Sequence, residues 1–586
     1  MMKMKGLFTK LIAAISLAFV LGCTNLDEIY YSEISQNVYF KTKENVYAAL
    51  ARPYTKWRGT HEFYPWMLQE VVTDEFCVTQ KGTDYESGGR YRHLHWHTWD
   101  PDHDVIYTTY FQMGEGISYA LAMISELSDV DYVALGLTEE DRRHHIMQLK
   151  TLVAYSYLRA LDYFGGMPIY KEFTTVEAPR STAKETFDYI ESILLSAISE
   201  SSPLTKKKQG DARTGWVDQG IAATCLARLY FNAQVYIGVD RFSDCEKVCQ
   251  DIMDGKYGYY ELEKTWNAPF GFDNDKSCES IWLCASEYVK NPIGWDYERF
   301  NHYGAASYYD IDGAGGTNGA HLQPSLAPDG SMYDFNLGRP FSRFNELDLR
   351  KKGYLYKGNK EYEGMFLYGR QERVTSDGRK VACKGAREYM GEVITFVDQV
   401  AQFKKVGTDY NSVSELPSNI TTGEENSGVR LVKRPVPDLA DRTLKFNPDY
   451  VVMRYAEVVY MMAECKYRSG RKQEACDLLN SVRARNFAGV DPDPCTVDNL
   501  TKYRFLQEWM TEFLGEQRRR TDLRRWNAYT TETWWDHNPS QHYRELFPIP
   551  QKTISASNVA IKQNPGYGGD EMSAEDAGLF YVPDVN

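Results

Sequence analysis

After residue 21 the chain contains no apolar run approaching the roughly 20 residues that a membrane-spanning helix needs. It also lacks a positive surplus: 67 Lys and Arg stand against 81 Asp and Glu, a net charge of −14. That balance excludes the basic footprint of a nucleic-acid partner and argues against adhesion to an anionic membrane surface. There is no GxSxG elbow, HExxH pair, phosphate loop or dinucleotide fingerprint, so no nucleophile or cofactor cradle can be nominated. Glycoside hydrolysis escapes this exclusion, because it asks only for two carboxylates at a set separation. Zinc spacing is missing too, since neither Cys245 with Cys249 nor Cys278 with Cys284 matches a metal motif. Cys225, Cys465 and Cys476 fall in apolar helical patterns, so buried free thiols are expected, although an exported protein could oxidise them.

What is present begins at the N-terminus. Lys3, Lys5 and Lys10 precede the apolar stretch LIAAISLAFVL, residues 11–21, which is the layout of an export signal. The following Gly22 and Cys23 complete a Leu-Gly-Cys ending that resembles a bacterial lipobox, in which cleavage precedes the cysteine and its thiol is acylated. Residues 1–22 are therefore read as a lipoprotein signal peptide and Cys23 as the lipid-attachment residue. Several acyl chains on one terminus anchor stably where a single chain does not. A secretory signal with a chance cysteine ranks lower, because Cys23 falls where cleavage should occur. Asp27 and Glu28 resemble the acidic tags of surface-exposed lipoproteins.

At 586 residues the chain exceeds one ordinary domain, so several units or one large helical array is expected. Aromatic residues reach 14%, with 43 Tyr and 12 Trp. Such rings offer flat apolar faces with polar handles and point to stacking surfaces or a large interface. Helical periodicity is strongest over 141–164, 183–200, 216–236, 241–254, 449–469, 471–486 and 499–526. Several of these come as adjacent pairs, with Gly470 ending one helix, and such pairs resemble tetratricopeptide units stacked into a solenoid. Residues 57–103 and 257–447 lack helical period and are rich in Gly, Pro, Asn, Tyr and Trp. Long excursions of that kind tend to carry function.

Five segments resemble motifs of the SusD/RagB family in order and spacing: LKTLVAYSYLRALDYFGGMPIY (149–170), VVMRYAEVVYMMAEC (451–465), LLNSVRARN (478–486), LQEWMTEFLGEQRRRTDLRRW (506–526) and LFPIPQ with QNPGY (546–567). So does the series Pro324-Ser325, Gly338-Arg339-Pro340 and Leu347-Asp348-Leu349-Arg350. Trp509 departs from the pattern, where the family often carries Arg. The resemblance spans nearly the whole mature chain. It implies a mainly α fold, a tetratricopeptide-like scaffold with loop-rich insertions bearing the ligand site. It divides residues 23–586 into an N-terminal helical half (about 23–255), a loop-rich insertion (256–447) and C-terminal helices with a closing segment (448–586). It also implies a lipid-anchored protein on the outer-membrane cell surface that binds glycans and forms the lid of a SusC-type TonB-dependent transporter.

Glu508, Glu512, Glu516, Arg520 and Arg524 recur every four residues and would line one helical stripe, acids before bases, in accord with the helix dipole. Structural pairing ranks well above a catalytic glutamate pair or a nucleic-acid patch there.

Two ring-rich stretches carry the site expectation. YRHLHWHTWDPD, residues 91–102, offers Trp96 and Trp99. If the strand is extended, His93, His95 and His97 share one face, a spacing that could hold zinc or copper; this ranks as a minority reading, and no metal site is assigned. YVKNPIGWDYERFNHYGAASYYD, residues 288–310, offers Trp295, Tyr303, Tyr308 and Tyr309 beside Asn291, Asp296 and Arg299. Aromatic faces can cover the C–H patches of sugar rings while amide, acid and guanidinium groups take the hydroxyls. For any one of these rings, a place in the core is about as expected as sugar contact. The resulting expectation is a non-catalytic glycan-capture lipoprotein. A surface glycoside hydrolase, or a lid subunit without its own glycan affinity, stands as the alternative. No cofactor is expected, and the sequence leaves open whether a calcium ion stiffens a loop.

Overall fold

A computed structural model describes residues 39–400, 404–406, 409–412 and 417–584; the expected export signal and lipid-attachment residue Cys23 lie outside these residues, as do the side chains of 296–298, 404–406 and 409–412. Five of the twelve helices labelled below begin at a residue whose side chain caps the first turn. α1 (Lys43–Gly59) begins at Thr42, which exchanges side-chain bonds with Asn45 in a capping box. After it come α2 (Phe63–Glu70), α3 (Arg90–His95) and the long α4 (Asp104–Ser128). α5 (Glu139–Phe164) and α6 (Ala183–Ala197) repeat the box with Thr138/Asp141 and Thr182/Glu185. α7 (Gln219–Phe231) and α8 (Phe242–Met253) follow, then, beyond the insertion, α9 (Tyr455–Arg468), α10 (Lys472–Arg483), α11 (Lys502–Phe513) and α12 (Arg519–Arg525).

Packing runs in one succession: α1 on α4, α4 on α5, α5 on α6, α6 on α7, α7 on α8, α8 on α9 and α9 on α10. Each helix buries its apolar stripe against the next, which gives the expected stack of helix pairs. α5 is its middle, buried without a break from Thr151 to Phe164. The loop-rich region joins this scaffold through an antiparallel ladder between Ser280–Cys284 and Tyr450–Arg454. Among the described residues no helix is long and apolar enough to cross a membrane. The ten described cysteines are free thiols, all buried but the half-buried Cys278.

Four local expectations are corrected. Residues 57–103, expected to lack helices, hold the end of α1 and all of α2 and α3. Residues 450–454 are a strand, because their β-branched and aromatic run pairs along its length with residues 280–284. The histidine stretch is not extended: His93 and His95 lie on α3 and His97 follows its cap at φ 51°, so the three share no strand face. Finally, residues 499–526 are two helices. Gly515 and Gln517 take positive φ, 77° and 61°, and turn the chain between α11 and α12.

That turn changes what the acid–base stripe does. Its members pair, but with distant elements. Glu508 takes Arg483 at 2.6 Å, and Glu512 takes Arg454 and Arg485 at 2.7 Å each and Arg350 at 3.0 Å. Arg520 and Arg524 both reach Asp162 on α5, at 3.0 and 3.4 Å. Burial opposes ionisation of Glu512, but three surrounding guanidiniums hold its carboxyl far below the usual range. The stripe is a buried ionic hub that clamps α11 and α12 to the rest of the fold.

Candidate functional site

Trp96 caps the C-terminus of α3 and remains 37% exposed. Its indole Nε1 donates to Asp536 Oδ2 at 3.0 Å, and the same oxygen accepts the backbone N–H of Ile420 at 2.8 Å. Burial raises the Asp536 carboxyl above its ordinary pKa, against the two donors that favour its charge. Next to it, Trp535 is buried and donates from Nε1 to Ser418 Oγ at 3.1 Å. Tyr333 and Phe335 lie on the same small cluster, half-buried, stacked at 5.6 Å with 24° between their planes. Four remote segments, around residues 96, 333–335, 418–420 and 535–536, thus build a shelf of partly open rings with a carboxylate beside them.

The shelf continues along the chain. Gln80 N donates to Ile420 O at 2.8 Å and Gly423 N to Gln80 O at 3.0 Å, so residues 417–425 run beside 77–81. At the far end of that segment is Glu425, which takes His302 Nε2 at 2.8 Å, Ala386 N at 2.6 Å and the hydroxyl of half-buried Tyr303 at 3.2 Å. Burial alone would raise this carboxyl, yet His302 and the backbone N–H donors hold it at about 2. Tyr303 is therefore fixed by a permanently ionised anchor.

The other expected site residues separate from this shelf. Trp99 is 2% exposed, donates to Tyr567 Oη at 2.8 Å and packs on Phe547. Tyr308 and Tyr309 are buried and bond Tyr354 O and Asn301 Oδ1 at 3.2 and 3.1 Å. Arg299 is buried as well, its guanidinium 5.1 Å from the Trp66 ring and bonded to His61 O. These four sit in the interior and present no open face, which corrects their reading as ligand contacts. Trp295 opens the short helix Trp295–Phe300, half-buried with Arg58 over its ring at 5.5 Å and Tyr450 edge-on at 5.2 Å. Exposed Asn291 accepts from Arg58 and donates to Ala285 O at 2.8 Å, on the rim of a pocket of about 200 Å³. Asp296 is in the same helix, with its side chain outside the described residues.

The three histidines bind backbone and hydroxyl groups, not one another's metal: His95 reaches Trp535 O at 3.0 Å, His97 reaches Val72 O at 2.8 Å, and His93 reaches Thr98 Oγ1 at 2.9 Å. Among the described residues no group of three His, Cys, Asp or Glu is arranged to hold a metal ion. Sequence reasoning missed Tyr333, Phe335, Ser418 and Asp536. They lie hundreds of residues from Trp96 in the chain, and no local period marks them.

With this geometry in place, the chain can be set against known proteins. A family model described as "SusD family" matches residues 278–567. The starch-binding protein SusD of Bacteroides thetaiotaomicron is 22% identical over 490 residues, covering 80% of each chain. Among solved structures, a SusD superfamily protein from Parabacteroides distasonis superposes with a TM-score of 0.63 at 16% identity, over 90% of this chain and 99% of that one. Surface glycan-binding protein A from Bacteroides thetaiotaomicron, solved with laminarihexaose, superposes with a TM-score of 0.61 at 16% identity, over 89% and 99%. At such identities the structural likeness establishes the shared fold.

Proposed function

The chain belongs to the SusD family, and from that premise we propose that it captures neutral oligosaccharides at the cell surface and passes them, unaltered, to a SusC-type TonB-dependent transporter. The anchor would be the acylated Cys23, and the capture surface the ring shelf at Trp96. One observation carries this reading: Trp96 is large, partly open and yet rigidly held by Asp536, with Tyr333 and Phe335 on the neighbouring cluster. Rings held in advance lose little entropy when a sugar settles on them. The Asp536 carboxylate beside them is a hydroxyl acceptor. One relative is named for starch and another was solved with laminarihexaose, which supports a glycan cargo without choosing a linkage. The transporter is the partner that the family resemblance implies, and delivery asks for modest affinity, because a site that holds too tightly cannot hand its cargo on.

The test is calorimetric titration of the full mature chain with maltoheptaose and laminarihexaose, followed by chromatography of the sugars. Binding with an unchanged sugar profile, weakened by Trp96→Ala, is the expected result. Shortened sugars would overturn the non-catalytic reading in favour of a hydrolase. Absence of binding, with tight association to a transporter, would leave a lid without glycan affinity.

A further inference from the structure

Gly114 and Gly116 stand two residues apart in the middle of α4, and only one has a packing reason to be glycine. A Cβ at Gly116 would fall 2.6 Å from Ser156 Oγ on α5, so its absence lets the two helices approach. A Cβ at Gly114 would meet nothing within 4 Å. Glycine inside a helix is destabilising relative to alanine, so the open space there asks for another explanation. The space is a groove of about 640 Å³ between α4, the loop around Met167–Ala178 and the segment Lys552–Ile561.

Its lining is aromatic and polar together. Tyr107 and Phe111, one turn apart on α4, lie nearly parallel at 6.4 Å and 25°, and Phe111 is 54% exposed. The hydroxyls of Tyr107, Tyr110 and Tyr119 make no hydrogen bond to the described residues. Charge is spent internally: Glu115 is held by Lys56 at 2.6 Å, and Glu177 accepts from Ser557 Oγ and Asn558 N at 2.7 Å each. Lys552 stands on the opposite wall, 4.9 Å from the Tyr107 ring, so that, counting Lys56 behind Glu115, two amines balance the two carboxylates of the lining. Stacked ring faces, unclaimed phenolic hydroxyls and neutrality complement an uncharged polyhydroxylated ligand and disfavour an ionic one.

We propose that this groove is a second carbohydrate site, separate from the Trp96 shelf, that takes a short run of neutral sugar rings and is kept open by Gly114. The inference rests on the reading that the protein's cargo is a glycan. It is tested by calorimetric titration of maltoheptaose and laminarihexaose into the full mature chain, its Gly114→Leu, Tyr107→Ala and Trp96→Ala variants, and the Gly114→Leu/Trp96→Ala double variant. Leucine is a better helix former than glycine, so the Gly114→Leu variant is expected to keep or raise its thermal midpoint while filling the groove. The expected result is a second equivalent of bound sugar in the parent chain, lost in Gly114→Leu and in Tyr107→Ala. The equivalent remaining in Trp96→Ala should vanish in the double variant. Stoichiometry untouched by Gly114→Leu, with Trp96→Ala abolishing binding, would overturn the groove alone. Binding abolished by Gly114→Leu but indifferent to Trp96→Ala would instead overturn the Trp96 shelf, and no binding by the parent chain would overturn both.

Discussion

His95 and His537 each secure the chain segment that carries the other: His537 Nδ1 donates to the carbonyl of His95 at 2.8 Å, and His95 Nε2 donates to the carbonyl of Trp535 at 3.0 Å. The residues that follow His95 and precede His537 are Trp96 and Asp536, so this reciprocal pair sets the base on which the shelf stands. Both imidazoles are buried beside His97, whose ring centre lies 4.3 Å from that of His537. The charges facing them are few: Asp74 acts on His537, and Arg544 on His97.

Acid should therefore unseat the shelf. Burial lowers His95 to about 4 and His537 to about 3, and holds His97 well below its ordinary value. In the unfolded chain each titrates near 6.5, so the unfolded state binds more protons and stability declines as pH falls from about 6.5 toward 4. Each histidine contributes a slope of up to about 1.4 kcal/mol per pH unit within that window. Urea denaturation between pH 7 and 4.5 should show the decline, and His537→Gln should reduce its slope by about one proton's worth. An identical slope in the variant would remove His537 from the acid limb.

The opposite limb belongs to two glutamates. Glu70 and Glu75 are buried together, and burial pushes Glu70 up to about 7 and Glu75 well above the carboxylate range. Glu70 accepts Arg518 N at 3.0 Å and Glu75 accepts Gly515 N at 3.3 Å, so the pair holds the turn between α11 and α12. A carboxyl whose folded pKa is raised adds stability below its unfolded value near 4.3 and loses it as pH rises through the folded one. Glu75→Gln, which keeps the proton-bearing side permanently, should become more stable relative to the parent chain as pH rises from 6 to 8.5. Parallel melting curves at both ends of that range would count against the pair.

How much of this was readable beforehand depends on the range of the interaction. The helix pairs from α5 to α10 announce themselves, because caps such as Thr182 and Gly470 and the apolar stripe are local signals. The break inside residues 499–526 was not readable. Helical spacing continues through Gly515, and the turn made by Gly515 and Gln517 is held by partners from distant parts of the chain, Glu75 on Gly515 N and Glu70 on Arg518 N. Likewise Trp96 and Trp99 look alike in sequence, yet one meets Asp536 at the surface and the other Phe547 inside.

That difference separates binding from folding in a paired experiment. Trp96→Ala should weaken oligosaccharide binding while lowering the thermal midpoint far less than Trp99→Ala does, since its ring is 37% exposed against 2% for Trp99. Trp99→Ala opens a cavity among Phe547, His97 and Arg544, and a buried tryptophan truncated to alanine costs roughly 3–5 kcal/mol. Equal losses of stability in the two variants would show Trp96 to be core.

The anchor is tested apart from the fold. Cys23→Ala removes the proposed acylation point and should move the protein from the membrane fraction to the soluble one, because no described helix is long and apolar enough to cross a membrane in its place. Continued sedimentation with membranes would place the attachment elsewhere or in a partner.

The ionic hub gives an effect on folding as large as that of Trp99. Glu512 is 5% exposed and meets Arg454, Arg485 and Arg350, while Glu279 supports the first two from the Ser280–Cys284 strand side, at 3.0 Å from Arg454. Replacing it with glutamine keeps shape and some hydrogen bonding but leaves three buried guanidiniums short of one charge. Breaking a buried pair in this way costs about 3–5 kcal/mol, because the partners stay desolvated. Since Glu512 is held ionised far below neutral pH, this loss should be the same at pH 5 and pH 8, unlike the histidine and Glu70–Glu75 effects. Denaturation of Glu512→Gln at both pH values measures it; a loss under about 1 kcal/mol would mean that Asp348, Glu279 and Glu516 suffice to hold the arginines.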